Sequence, residues 1–512
     1  MTTMRKRALV VGLGIAGMSA AIGLRRAGWT PVIVERAPER RTGGYFVGLF
    51  PEGLQAAVDL GIADHLHTRN PERRPGGNSW SVDRRGRRRP ALGFLDQPGE
   101  PAAVLRGDIE AALWQSVTGV EVRLGTTPVA ITEGPAEVQV LLEEAGTGAR
   151  YREGFDMIVG ADGMRSSVRR IVFGPDEDHL TTWNAMICAF QLEEQVPSYE
   201  ASDSITIARA KRAVWVFGLA DHAPTALLTY RTTDIQEQFG GSRVQRLRSV
   251  FSGMDDPVVR HVLDSLEKAP DHLFDSVHQV KMPRWSKGRV VLVGDAAWCV
   301  NLYSGMGATS SLRGGAALSA ALLEHPDDLA AALGAWEVGL RPFITKHQRT
   351  ARLKQQMFVP SSRRAEALRS VLLGLVRRVR GRRQATEAGG QRAWTLSGPV
   401  VHPRPMPTRR TGACLPRGRC QVFQGALLAV GEDHRAAELH DLLAAAEFVD
   451  EEAVQVGHVT DAHVQQEVVA AREDEHGHDL GHGQRLVVEP ADQGPGQRAD
   501  LGEDHRLHRP AQ

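Results

Sequence analysis

Cysteine is scarce in this chain. The 512 residues contain four, Cys188, Cys299, Cys414 and Cys420. None forms a Cys-x-x-Cys or Cys-x-x-His pattern, which excludes a zinc ribbon and a disulfide framework and suits a reducing cytoplasm. A net charge of one sign is also missing, because 62 basic residues face 61 acidic ones. No global field therefore draws the chain to nucleic acid or to a membrane surface. No run reaches the roughly 20 apolar residues of a membrane span. The one strongly basic run, Arg84-Arg85-Gly86-Arg87-Arg88-Arg89, follows an alternating stretch and contains a glycine, so it is expected at a solvated hairpin tip. What is present is enough hydrophobic residue, 42% of the chain, to bury real cores in two or three domains.

The first informative segment is Ala8-Leu9-Val10-Val11-Gly12-Leu13-Gly14-Ile15-Ala16-Gly17. With Met4-Arg5-Lys6-Arg7 before it, the run has the outline of a secretory signal. The glycines argue against that. Ala8 to Val11 reads as a buried parallel strand, Ser19 to Arg26 as a helix ended by Gly28, and Pro31 to Val34 as a second strand. In such a βαβ unit, Gly12 permits the tight turn and Gly14 lets the backbone approach a pyrophosphate. Gly17 lets the helix pack on the strand. The N-terminus of that helix then offers free N–H groups and a positive end to the phosphate. Glu35, beside Arg36, lies about 20 residues on, where a carboxylate accepts the hydroxyls of a ribose. A 2′-phosphate would be repelled there, so the site suits FAD or NAD better than NADP. A dinucleotide site is the reading of this segment.

Two later segments carry the same chemistry. Asp156-Met157-Ile158-Val159-Gly160-Ala161-Asp162-Gly163 is an apolar strand run ending in an acid and a glycine, and Arg289-Val290-Val291-Leu292-Val293-Gly294-Asp295-Ala296-Ala297 is another. Gly294 allows close backbone approach and Asp295 can accept a polyol hydroxyl. Gly305 and Gly307, around Met306, let a backbone lie against a planar ring. Thr309 to Leu323 reads as a helix whose N-terminus favours negative charge. Taken singly, Asp162 and Asp295 are equally readable as turn residues that end strands.

Together the three segments resemble the FAD-dependent monooxygenases of the para-hydroxybenzoate hydroxylase type over residues 5 to 345. The branch that inactivates tetracyclines, with its actinobacterial members, is similar in carrying Arg41-Thr42-Gly43-Gly44 after the first acid. The resemblance implies an α/β fold: a Rossmann-like FAD-binding domain of the glutathione-reductase type, with an antiparallel-sheet substrate domain inserted. The expected division is 1–175 and 281–345 for the FAD-binding domain, 176–280 for the substrate domain, and 346–384 for C-terminal helices. Gly12, Gly14, Ile15, Ala16, Gly17, Glu35 and Arg36 match the ADP-binding half. Arg106, in Leu105-Arg106-Gly107-Asp108, matches an arginine that contacts FAD. Asp162 and Gly163 match the "DG" motif, Gly294 and Asp295 the "GD" motif, and Gly305, Met306 and Gly307 the loop beside the flavin ring.

The implied activity is hydroxylation of an aromatic or polyketide-like small molecule. NADH or NADPH reduces FAD, O2 adds to the flavin as a C4a-hydroperoxide, and the substrate takes one oxygen. The cofactor carries that chemistry, so no side-chain nucleophile or base is expected, and no metal. The chain departs from the family in Trp298-Cys299-Val300-Asn301-Leu302-Tyr303-Ser304, which has no proline. Trp298 and Tyr303 there are candidates to stack near the flavin ring or to line the substrate cavity, with plain packing as the equal alternative. Arg209, Trp215 and Phe217 on strand-like runs of the inserted sheet are candidate lining residues of that cavity, with core packing as the alternative for the apolar two. A flavin-dependent halogenase is an alternative, although its Trp-x-Trp-x-Ile-Pro signature is absent. A catalytically degenerate FAD-binding protein is another.

Residues 351 to 383 read as basic helix, packed on the FAD domain or lying on a membrane surface. Beyond residue 385 the composition changes. Ten of the 19 histidines fall there, with Trp394, Phe423 and Phe448 as its aromatics and no tyrosine. Such a segment does not easily bury a core, and it is expected to be disordered or to come from a shifted reading frame.

Overall fold

The computed structural model describes residues 5–374, apart from positions 41, 42, 98 and 270. The expectations for the tail after 385 and for Arg41 and Thr42 therefore lie outside the described residues.

In chain order the elements begin with β1 (Arg7–Val11), α1 (Ile15–Arg26), β2 (Thr30–Glu35), β3 (Phe46–Leu49) and α2 (Pro51–Asp59). Then come β4 (Ser79–Val82), β5 (Arg88–Pro90), β6 (Ala102–Leu105), α3 (Arg106–Ser116) and β7 (Glu121–Leu124). Next are β8 (Thr126–Glu133), β9 (Val138–Glu144), β10 (Arg150–Phe155), β11 (Met157–Gly160) and α4 (Ser167–Val172). The middle of the chain supplies β12 (Leu180–Gln191), β13 (Ser204–Arg209), β14 (Arg212–Phe217), β15 (Thr225–Arg231), α5 (Arg243–Phe251), α6 (Pro257–Lys268) and β16 (Leu273–Val280). Last are β17 (Ser286–Lys287), β18 (Val290–Leu292), α7 (Asp295–Trp298), α8 (Gly307–Glu324) and α9 (Leu329–Phe358).

The first sheet has the order β17-β18-β11-β1-β2-β7, parallel except at β17. Its central strands are short and fully buried, Val-, Ile- and Leu-rich, as strands covered on both faces must be. The strand register decides where their ends lie. Val11 of β1 pairs with Gly160 of β11, and Gly160 pairs with Leu292 of β18. Three segments far apart in sequence thus end side by side at one edge of one sheet.

On this sheet α1 and α8 pack through small residues. A Cβ added at Gly23 would lie 2.6 Å from the Gly315 carbonyl oxygen, and one at Gly315 would lie 2.6 Å from Ser19. The helix after the first glycine loop and the helix begun by Gly307 are therefore in backbone contact. A smaller sheet, β10-β9-β8, flanks the domain, and β3 pairs with β6.

The second large sheet has the order β16-β12-β15-β14-β13-β4-β5. It is antiparallel except where β13 runs parallel to β4. Along β15, Ala226, Leu228 and Tyr230 pack with Leu247, Phe251, Val259, Val262 and Leu266 of α5 and α6. Leu227 falls on the other face, with Trp215, Phe217, Tyr303 and Phe358. The segment 176–280 does not complete this sheet alone: β4 and β5, from residues 79–90, form one edge. They make the hairpin expected for the basic run, in which the Asp83 carboxylate gathers Arg87 and Arg89 across the turn. After α9 a second helix runs from residue 363 to the limit of the described residues. Its Glu366 pairs with Arg84 and accepts from the Ala210 N–H at 2.9 Å, so it docks on the hairpin edge of the sheet. Among the described residues no helix is long and apolar enough to cross a membrane.

Candidate active site

The three glycine-bearing turns leave the sheet at its common edge, where ligands of parallel α/β sheets bind. Gly12 has φ +109°, and a Cβ there would meet the Ala161 oxygen at 2.5 Å. A Cβ at Gly17 would sit 1.9 Å from the Gly12 oxygen. These two glycines serve the close packing of the turn. Gly14 differs, with no heavy atom within 4 Å of where its Cβ would be; the same holds at Gly163 and Gly307. Open glycines in the first two turns and at the start of α8 are what a cradle for an extended ligand requires.

Glu35 ends β2, and its carboxylate accepts from the Leu13 N–H at 2.9 Å and the Ala37 N–H at 3.0 Å. It fixes the glycine loop while each oxygen keeps a lone pair for a ribose hydroxyl. Arg36 is exposed beside it. Ile15 and Ala16 open α1. Gly294, at φ +63°, presses so closely on α1 that a Cβ there would lie 2.5 Å from the Ala16 Cβ. The first and third turns are therefore in direct contact.

Asp162 is committed locally. It accepts from the Ser167 N–H at 2.6 Å, the Ser167 hydroxyl at 2.7 Å and the Val168 N–H at 3.2 Å, and also from the Ser166 hydroxyl. It thereby caps α4 and holds Gly163, at φ +80°, in the left-handed turn. Arg169, to which sequence reasoning gave no role, is fully buried beneath this turn. Its guanidinium donates to the Met164 oxygen at 2.6 Å, to the Ala296 oxygen at 2.9 Å and to Asp176 at 2.5 Å. It ties the second turn to the third. The arginine was visible in the sequence, but nothing local signals its burial.

Asp295 begins α7. Burial pushes its carboxyl up from the ordinary range, against the Cys299 thiol and the Arg106 charge, which pull it down. Arg106 opens α3, with its side chain paired to Glu110 at 2.7 Å and its backbone N–H donating to the Tyr45 backbone carbonyl at 3.0 Å. Burial works against the Arg106 charge, but Tyr45, Glu110 and Asp295 outweigh it and raise its pKa. Burial likewise lifts the Tyr45 phenol, Arg106 opposing. Tyr45, Arg106 and Asp295 form one electrostatic unit beside the open glycines. Tyr45 was missed at the sequence level, where a lone tyrosine after two glycines carries no signal.

The loop without proline turns by another device. Asn301 has φ +80° and ψ 146°, outside the left-handed helical region and close to one that is almost confined to glycine. Its side-chain oxygen accepts from the Tyr303 N–H at 2.8 Å, and its carbonyl accepts from the Ser304 hydroxyl at 2.7 Å. Gly305 is next at φ +72°, against the Phe50 ring, and Met306 is buried.

Three expected cavity residues have other duties. Trp298 is 1% exposed and packs against Trp285 and Trp336, at ring distances of 4.7 and 5.8 Å, with its indole N–H donating to Ser310. It is a core residue, because α8 and α9 close over it. Arg209 donates to three carbonyl oxygens, those of Val82, Asp83 and Ala208, and so fastens β13 to the hairpin. Tyr303 is 1% exposed, and its hydroxyl bonds the Thr229 hydroxyl at 2.8 Å. It pins the third loop to the second sheet. Trp215 and Phe217 do lie on the sheet face turned toward that loop. Phe217 stacks on Phe46 at 4.1 Å, and Trp215 stacks on Phe358 at 4.6 Å.

The family described as FAD binding domain matches residues 5–331. The chain belongs to this family. A flavin-dependent monooxygenase from an unidentified prokaryote is 26% identical over 390 residues, covering 73% of this chain and 96% of its own. An FAD-dependent monooxygenase of Sarocladium schorii is 28% identical over 389 residues, covering 69% and 89%. Among solved structures, the tetracycline destructase Tet(51) is similar with a TM-score of 0.58 and 25% identity, covering 70% of this chain and 92% of its own. The family member described here is an FAD-dependent monooxygenase. Its open glycines, the Glu35 carboxylate and the Tyr45–Arg106–Asp295 unit fit FAD, since together they offer backbone access, a ribose acceptor and a balanced polar floor.

Proposed function

We propose that this enzyme hydroxylates an aromatic or polyketide-like small molecule, using O2 and either NADH or NADPH. One observation carries the substrate class. The face of the second sheet that meets the third loop is an aromatic surface, running from Phe46 through Phe217 and Trp215 to Phe358 with ring distances of 4.1, 6.2 and 4.6 Å. Such a surface favours a flat apolar ligand by area burial and offset stacking.

Bound FAD, once reduced, supplies the activation of O2 and the oxygen transfer. The protein's own residues do the rest. Gly14, in the turn that Gly12 and Gly17 pack tightly, would admit the pyrophosphate to the N-terminus of α1, and Glu35 would receive the adenosine ribose. Gly163 and the Gly294–Asp295 turn would hold the ribityl chain, and Gly305, Met306 and Gly307 would hold the ring. The Tyr303–Thr229 bond ties the third loop to the sheet. Orientation of the substrate against the ring, rather than proton transfer by a side chain, supplies the rate.

The test is a panel of phenols and polyketides added to the purified yellow protein with NADH or NADPH. The expected result is faster nicotinamide oxidation with at least one member and a product carrying one added oxygen atom. Nicotinamide oxidation that no member accelerates, or a halogenated product in the presence of halide, would overturn the reading.

A further inference from the structure

A separate cavity of about 280 Å³ opens behind the third turn, on the α9 side. Val280, Met282, Trp285, Ala297 and Ile344 give it an apolar floor, while Lys281, Arg341, Arg349, Thr345 and Gln348 supply its polar lining. No carboxylate lines it, so the lining holds three cations and no counter-charge of its own. Arg341 is already engaged, through Glu337 and the carbonyls of Met282 and Pro283. Lys281 and Arg349 have no ion pair among the described residues. Gln348 is also engaged: its amide donates to the Val280 oxygen at 2.7 Å and the Trp298 oxygen at 2.8 Å. Arg341 and Gln348 are thus held in place, and the exposed Lys281 and Arg349 border the same space.

We propose that this cavity is a binding site for a compact organic phosphate, held by Lys281 and Arg349 with the Arg341 guanidinium behind them. An ammonium, a planar guanidinium and a hydroxyl are donors that suit a phosphate dianion. The apolar floor suits the carbon body of an ester. The volume admits a phosphate with a small sugar and does not admit a dinucleotide. None of the open glycines Gly14, Gly163 and Gly307 lines it.

The test is calorimetric titration of the full-length, FAD-loaded protein with inorganic phosphate and with ribose 5-phosphate, at constant ionic strength set with chloride. Saturable binding is expected, tighter for the sugar phosphate. The Lys281→Gln/Arg349→Gln double variant is expected to weaken it at least tenfold while retaining its yellow colour and its melting temperature. Absence of saturable binding in the parent protein would overturn the proposal. So would undiminished binding in the double variant, which would place the phosphate elsewhere. Equal affinity for inorganic phosphate and the sugar ester would refute the organic part of the assignment. None of these readings depends on turnover, so the proposal fails independently of the hydroxylation reading.

Discussion

Gly315→Ala and Gly334→Ala are the same chemical change in two helices, and the structure gives them opposite signs. Both residues are helical, and replacing glycine by alanine in a helix interior is worth up to about 1 kcal/mol through propensity alone. At Gly334, exposed on α9, no heavy atom lies within 4 Å of the new methyl group. That variant is expected to gain about 0.5–1 kcal/mol. At Gly315 the methyl carbon would lie 2.6 Å from the backbone carbon and from the Cβ of Ser19, and 2.8 Å from its oxygen. The obstruction is backbone, so α1 must slide off α8. Overpacking of this kind costs about 1–3 kcal/mol, with the rigid case at the upper end. Subtracting the propensity gain leaves a net loss of about 2 kcal/mol.

The slide has a second consequence. The N-terminus of α1 carries the Gly12–Gly17 turn and that of α8 carries Gly307, so a change in their spacing strains both halves of the flavin cradle. Urea unfolding of the FAD-free proteins reports the stability difference without linkage to the ligand. The ratio of flavin to protein absorbance after dialysis reports retention. Gly315→Ala is expected to lose both stability and flavin, and Gly334→Ala to lose neither. A Gly315→Ala protein as stable as its parent, or a Gly334→Ala protein equally damaged, would refute the close-packing account of these helices.

Replacing Arg106 by Lys removes the planar donor that joins Glu110 to the Tyr45–Asp295 unit. Loss of a charge-assisted hydrogen bond is worth about 1.5–3 kcal/mol, so flavin affinity, measured by fluorescence quenching, is expected to fall about tenfold or more. Asp295→Asn has two expected effects. Because burial raises the folded-state pKa, the ionised carboxylate opposes folding once the pH passes that value. The flavin-free variant is therefore expected to be more stable than the parent at pH 7, yet to hold FAD less tightly; a less stable flavin-free variant contradicts the electrostatic picture. His347 is pushed down to about 4, first by burial and then by Lys354, Lys346 and Arg313. The unfolded chain binds that proton first, so stability from this group is complete above pH 6.5 and lost as the pH falls toward 4. His347→Gln is expected to flatten the stability curve between those values, and an unchanged curve counts against a neutral buried imidazole.

The parts of this site that were legible in the sequence are those whose partners are close along the chain. Gly12, Gly14 and Gly17 declare a turn because strand, glycine and helix succeed one another within a few residues. The three apolar runs declared strands, but only the pairing of Val11 with Gly160 and of Gly160 with Leu292 makes their turns one site. What stayed hidden depends on distant packing. Trp298 sits next to the Gly294–Asp295 motif and reads as a ring beside the flavin. Two tryptophans, Trp285 before it and Trp336 after, claim it for the core instead. Arg209 reads as a free cation until a hairpin more than a hundred residues earlier supplies its carbonyl partners. Asp162 shows where the two kinds of information meet. Its bonds all run to residues 166–168, so sequence alone leaves it divided between helix cap and ligand contact. The structure makes the division unnecessary. Its bonds to the first N–H groups of α4 fix the turn in which Gly163, at φ +80°, leaves the second side of the cradle open, so the capping role and the expected FAD contact would act at one and the same turn.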